Sequence, residues 1–254
     1  MNRLLPQMNR HETGAPAECD LARRSPEGRQ VSHYQDEATT RTSRFMGVDI
    51  EYCADVLAPR EETELLGRTA IDILSGRRGS QRVVDMCCGS GNLACAVATA
   101  LDSATIWACD LTPACVSTAW RNVDRLGLSN RVQVRQGDLF DPLPVEAFGR
   151  SIDLIMCNPP YIPTFRLDGD KADLLRKEPR AAFDGGLYGF TIHQQVIGAA
   201  LRYLRPGGWV ALEFGERQEK QISALFRRAG GYHDLDYKLD ARGVPRVAVA
   251  RTSG

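Results

Sequence analysis

Apolar and polar positions along this chain fall into two regimes. Residues 1 to about 44 hold Arg, Glu, Ser, Thr and Pro with scattered apolar positions and no sustained period, a stretch that buries little surface by itself. It is expected as a poorly ordered N-terminal extension, or as a lid that folds only against something else. Two pieces, around residues 16–24 and 32–46, are candidates for short helices. From Glu61 the pattern turns helical: Leu66, Ala70, Ile73 and Leu74 form one apolar stripe, and Gly76 and Gly79 mark its stop. Short apolar runs then alternate with helical stretches. The runs 82–87, 105–109, 132–135, 152–157 and 209–214 read as strands, and 93–101, 113–126, 190–204 and 217–229 as helices. Two final runs, 232–239 and 245–251, joined through Ala241-Arg242-Gly243, have no helix between them, and a hairpin is the simplest connection. The prediction is one α/β domain over 45–254. Its core is a doubly wound, mostly parallel, seven-stranded Rossmann-like sheet that ends in an antiparallel hairpin.

In an open α/β sheet the chemistry gathers at the carboxyl ends of the strands, so the residues that follow each run matter most. Asn158-Pro159-Pro160-Tyr161 stands directly after the apolar run Ile152 to Cys157. Pro159 and Pro160 have no backbone N–H, so the turn offers carbonyl oxygens without competing donors, and the Asn158 amide can add one more acceptor. Such a corner suits an NH2 group. Accepting its two protons with Asn158 and the Pro159 carbonyl would favour a pyramidal nitrogen with a free lone pair, while Tyr161 would wall the planar group by packing. An ordinary strand-terminating turn is the bland alternative, and the context of the other strand ends argues against it.

After the first strand comes Asp85-Met86-Cys87-Cys88-Gly89-Ser90-Gly91-Asn92, opening a helix, where Gly89 and Gly91 allow a ligand close to the backbone at a helix N-terminus. Asp110 ends the next strand, placed to accept from two ribose hydroxyls, with Leu111 after it. Asp138 and Leu139 follow the third strand; the carboxylate is placed to accept from an amino group of a base and the leucine to pack its ring. Each acid alone could be a helix or turn cap. Three at successive strand ends point to a nucleoside-bearing cofactor. A nicotinamide dehydrogenase would use similar geometry, but Asn92, Leu93 and Ala94 follow Gly91, so Gly-x-Gly-x-x-Gly is incomplete.

Bulk composition narrows the partners. Acidic and basic residues balance at 32 each, so no global field draws the chain to nucleic acid or an anionic membrane. Lys occurs only at 171, 177, 220 and 238, which reads as coding bias toward Arg. No apolar run approaches the ~20 residues of a membrane span and no secretory signal opens the chain, which predicts a cytoplasmic protein. The eight cysteines form no Cys-x-x-Cys pair and fall largely in or beside predicted elements, so they read as reduced, buried small hydrophobes rather than metal ligands.

These features resemble the class I methyltransferases, whose S-adenosylmethionine site has this order of glycine loop and acids and whose sheet ends in such a hairpin. The resemblance narrows to the HemK/PrmC family, which methylates the glutamine of a Gly-Gly-Gln tripeptide in peptide chain release factors. It rests on Val56-Leu57-Ala58-Pro59-Arg60-Glu61-Glu62-Thr63-Glu64, on Asn158 to Pro163, on Glu178-Pro179-Arg180-Ala181-Ala182-Phe183-Asp184-Gly185-Gly186, and on Glu213-Phe214-Gly215-Glu216-Arg217-Gln218. The resemblance implies an S-adenosyl-L-methionine-dependent side-chain amide N-methyltransferase. Its catalytic residues would be Asn158, Pro159 and Tyr161. Cofactor binding would fall to Asp85, Cys87, Gly89, Gly91, Asp110, Leu111, Asp138, Leu139 and Asn158, and substrate positioning to Arg60, Pro160 and Glu178. Two departures stand out: Cys87 replaces a glycine of the usual loop, and 55 residues precede Val56 where the family carries a helical bundle. The substrate therefore stays open between a release factor and a small metabolite or carrier-bound intermediate, the cofactor's own amino acid portion being one such alternative. A nucleobase amino group is the least favoured.

Overall fold

The computed structural model describes residues 40–253. The helix expected around 16–24, the first part of that over 32–46, and most of the N-terminal extension lie outside the described residues. The described part opens with a hairpin, β1 (Arg41–Phe45) and β2 (Val48–Tyr52), paired antiparallel. Residues 41–46 are thus strand and turn instead of helix. Met46 and Gly47 both have positive φ, 47° and 85°, the twist that a tight hairpin needs. Phe45, Val48 and Ile50 enter the main core, and that burial favours pairing over a solvated helix.

A 3-10 turn (Glu61–Thr63) leads into α1 (Glu64–Leu74), and the chain then alternates: β3 (Gln81–Met86), α2 (Asn92–Ala100), β4 (Ala104–Asp110), α3 (Pro113–Arg125), β5 (Val132–Gln136), α4 (Val145–Phe148), β6 (Ile152–Cys157). After β6 come a short α5 (Thr164–Leu167), two 3-10 turns, α6 (Thr191–Ala200), β7 (Leu204–Glu213), α7 (Glu219–Ala229), β8 (Tyr232–Leu239) and β9 (Pro245–Thr252). The seven-stranded sheet runs β5-β4-β3-β6-β7-β9-β8, parallel as far as β7, with β9 antiparallel to both β7 and β8. This is the expected Rossmann-like sheet with its terminal antiparallel pair.

Strand side chains alternate faces, and the two faces carry two separate cores. Val83, Ala108, Leu154 and Met156 pack with α1, α2 and α3, whereas Val84, Trp107, Ile155 and Leu212 pack with α6 and α7. β3 and β6 are therefore covered on both sides, which is why they read as near-continuous apolar runs. Their carboxyl ends are adjacent: Met86 pairs with Cys157, so the loop after β3 and the Asn-Pro-Pro-Tyr turn emerge side by side. All seven described cysteines are unpaired. Cys88, Cys95, Cys109 and Cys157 are buried, while Cys53, Cys87 and Cys115 are half-buried. Among the described residues no helix is long and apolar enough to cross a membrane.

Candidate active site at the carboxyl edge of the sheet

The loop after β3 turns through the left-handed region at Cys87, Gly89 and Gly91, with φ of 59°, 56° and 75°. Glycine carries no penalty there; a cysteine stores strain of order 1–3 kcal/mol. The unusual residue at position 87 therefore keeps the backbone path that a glycine normally supplies. A Cβ on Gly89 would meet open space, so this turn forms a bare cradle, whereas a Cβ on Gly91 would meet the Ala119 Cβ at 3.0 Å, where α2 approaches α3.

Two acids support the loop. Asp85 is fully buried beneath it, and one carboxylate oxygen accepts the Ala94 N–H at 3.0 Å while Oδ1 has no partner. Burial pushes its carboxyl up to about 8, and the neighbouring Asp110 adds to the shift. Asp85 thus braces the first turn of α2 from inside and does not line the cleft. Asp110 is half-buried at the end of β4; Oδ2 accepts the Gly89 N–H at 2.9 Å and Oδ1 the Thr112 N–H at 3.0 Å. A carboxylate has about four acceptor positions, so capacity remains for a ligand hydroxyl. Leu111 beside it is 61% exposed, a large apolar side chain left uncovered at the cradle's rim. Asp138 is exposed after β5, and Leu139, left-handed at φ 45°, packs partly against the second core. The bare glycine turn, the acid beside it and the uncovered leucine fit a cofactor with a ribose and a flat ring.

A cleft in front of the loop is lined by Pro59, Arg60, Thr63, Cys87, Gly89 and Asn158, so three of the sequence-derived segments meet. Asn158 is half-buried, and its Nδ2 donates to the Thr63 hydroxyl at 2.9 Å. That bond commits the nitrogen and leaves Oδ1 as the uncommitted end of the amide. Arg60, which lines the cleft, pairs with Glu178, whose Oε1 also accepts the Ala58 N–H at 3.0 Å, so the Pro-Arg segment is tied to the Glu-Pro-Arg segment. Gly185 and Gly189 pack against the turn so closely that a Cβ would lie 2.8 Å from the Pro160 oxygen and 2.4 Å from the Tyr161 oxygen, respectively. Pro160 is thus backed by the segment around Gly185.

Tyr161 is not among the cleft-lining residues. Its hydroxyl turns toward Glu213, at 3.5 Å, and receives a bond from Arg246 Nη2 at 3.3 Å; burial and the Glu213 charge push it well above the usual phenol range. Gln218 anchors the same residue by donating to its carbonyl at 3.1 Å. Glu213 is buried at the end of β7, where desolvation pushes its carboxyl up to about 7 against the lowering effects of the Thr63 hydroxyl and Arg246. Sequence reading missed Thr63, Glu213 and Arg246 as site residues. One signal was present for two of them: Glu213 directly follows the apolar run Trp209 to Leu212 in β7, and Arg246 precedes the run Val247 to Ala250 in β9. A charge at the edge of a buried strand needs a partner, and here the two strands pair side by side.

A family model described as a methyltransferase domain matches residues 78–230. The release factor glutamine methyltransferase of Gloeobacter violaceus is 37% identical over 208 residues, covering 82% of this chain and 71% of the relative. That of Moorella thermoacetica is 36% identical over 222 residues, covering 87% and 76%. In solved structures the fold recurs in a methyltransferase from Pyrococcus furiosus, with a TM-score of 0.54 at 20% identity over 82% of this chain and 90% of that one.

Proposed function

The chain belongs to the release factor glutamine methyltransferase family, and from that premise we propose that it methylates the side-chain nitrogen of a glutamine in a peptide chain release factor, in the cytoplasm, with S-adenosylmethionine as donor. One observation carries the reading at the level of atoms: the Asn158 nitrogen is held by Thr63, so its oxygen is available to a substrate NH2 beside the glycine cradle. An amide nitrogen is a poor nucleophile because its lone pair is delocalised. Asn158 Oδ1 and the Pro159 carbonyl would grip both protons, turn the nitrogen pyramidal and aim its lone pair. When bound, S-adenosylmethionine supplies a methyl group on a positively charged sulfur. The protein's task is then alignment, which can account for ~7–11 kcal/mol of a barrier without a strong base. As the nitrogen formed its bond to the methyl carbon, the carbon–sulfur bond would break with its electron pair passing to the sulfur, and one of the two gripped protons would leave for water.

Asp110 would hold the ribose hydroxyls, Leu111 and Leu139 would flank the base, and Gly89 would let the donor approach the backbone. Asp110→Ala should raise the dissociation constant for the donor, or for its demethylated product, by about 10- to 100-fold, from one or two lost charge-assisted bonds. The Gly89 N–H would also lose its acceptor, so the loop should loosen. Calorimetric titration that finds wild-type affinity removes Asp110 from the donor site.

Arg60 and Glu178 would guide the peptide on either side of the glutamine. The decisive experiment offers labelled methyl donor with purified release factor and, separately, with the small-molecule fraction of a cell extract. The expected label lies on the release factor and disappears when its Gly-Gly-Gln glutamine is replaced. Label confined to the small-molecule fraction would overturn the release-factor reading, and donor consumed without label in either would point to reaction of the donor itself.

A further inference from the structure

Thr63 occupies the N-cap position of α1, where a threonine ordinarily accepts a backbone N–H of the first turn. Here it makes no such bond. It is 3% exposed, and its hydroxyl reaches across the fold to Asn158, 95 positions away, and lies beside the Glu213 carboxylate. Glu213 is 2% exposed, and its buried Oε2 has no hydrogen-bond partner, an acceptor left open beside the Thr63 hydroxyl.

A hydroxyl has one proton and two lone pairs. If the proton goes to the Glu213 carboxylate, only a lone pair faces Asn158, and the amide must present its NH2 to Thr63 and its oxygen to the substrate. If Glu213 is protonated and donates instead, the Thr63 proton is free to point at Asn158, and the amide can turn over with little change of shape. The substrate NH2 would then meet another NH2. We propose that Thr63 and Glu213 are positioning residues that set the orientation of the Asn158 amide, with the Glu213 charge deciding which end faces the substrate. The inference rests on Asn158 being the acceptor of the substrate nitrogen, as proposed above.

Several groups face Glu213: the neutral Tyr161 hydroxyl from the turn, the Arg246 charge from β9 and the Glu62 charge from the 3-10 turn, while the His193 ring on α6 bonds its backbone oxygen. Burial holds His193 down at about 4, so it stays neutral through the neutral range and adds no charge there. Glu213, pushed up to about 7, is the group that titrates. Turnover should therefore rise as pH passes upward through neutrality, because the deprotonated form sets the productive amide.

The test compares wild type, Thr63→Val, Thr63→Ser and Glu213→Gln on a glutamine-bearing peptide, with thermal unfolding and titration of the demethylated donor as checks of folding. Thr63→Val should lower kcat by about 10- to 100-fold with donor affinity unchanged, and Thr63→Ser should restore most of it. Glu213→Gln should lower kcat and abolish the rise through neutrality. A folded Thr63→Val enzyme with wild-type kcat, or a folded Glu213→Gln enzyme that keeps the wild-type pH profile, overturns the relay. Wild type inactive on every glutamine substrate overturns the function itself, a failure visible before any variant is compared.

Discussion

Asn158→Ala should reduce methyl transfer by about 10⁴-fold, because a site built to hydrogen-bond an NH group discriminates on that scale when the bond is missing. The loss combines two effects. The substrate nitrogen keeps its lone pair in conjugation, and the Thr63 hydroxyl loses the NH2 that now satisfies it. Binding of the donor should stay within about tenfold, or ~1.4 kcal/mol, since the cradle, Asp110 and Leu111 are untouched. Asn158→Asp should not rescue. It would set a second carboxylate against Thr63 beside Glu213, where the single hydroxyl proton cannot serve both. Single-turnover assays with saturating donor would measure the loss; turnover within tenfold of wild type would remove Asn158 from the mechanism.

The largest loss of stability is expected from Arg246→Met, which keeps an apolar stem and deletes the guanidinium. Arg246 is 8% exposed; Nε donates to the Phe214 carbonyl at 3.0 Å and Nη2 to the Tyr161 hydroxyl at 3.3 Å, and its charge opposes that of Glu213. Removing it leaves a buried carbonyl without its side-chain donor and a buried carboxylate without a positive neighbour. About 3 kcal/mol should be lost, the range for breaking a buried charged arrangement from one side. Lysine is a poor substitute, because a single ammonium cannot reach both oxygens in the fixed fork of a guanidinium. Glu213 should also titrate higher in the variant, moving the rise in turnover to higher pH. Urea unfolding within about 0.5 kcal/mol of wild type would show that Arg246 has no such role.

The alternation of apolar runs and helical stretches was legible because β3 and β6 are covered on both faces and α1 on one, so burial writes itself directly into residue type. The β1–β2 hairpin was not. Its apolar positions, Phe45, Val48 and Ile50, are too few to show a period, and they make sense only in the core shared with α2 and α3, where Asn122 ties Glu51 to the loop at Ser90. The flap between β6 and α6 was equally opaque, since its 3-10 turns and the bridge from Ile162 to Asp184 arise from packing on the Pro-Pro turn and not from local preference.

At the site, Asn158 and Gly89 stood out by type and position, Arg60 and Cys87 through the resemblance to the family's motifs, and the four do meet in one cleft. Asp85 was placed correctly at a strand end, yet its side chain points under the loop, which only the path of the backbone after β3 decides. Sequence by itself determined the order of elements, the strand ends that would carry chemistry and the residue types gathered there, because these follow from hydrophobic period and from which side chains accept or donate. Tertiary structure alone decided that Thr63, Glu213 and Arg246 converge behind Asn158. A hydrogen-bond partner 95 positions away leaves no periodic trace in the chain, and the direction of an amide is set by whichever buried group touches it.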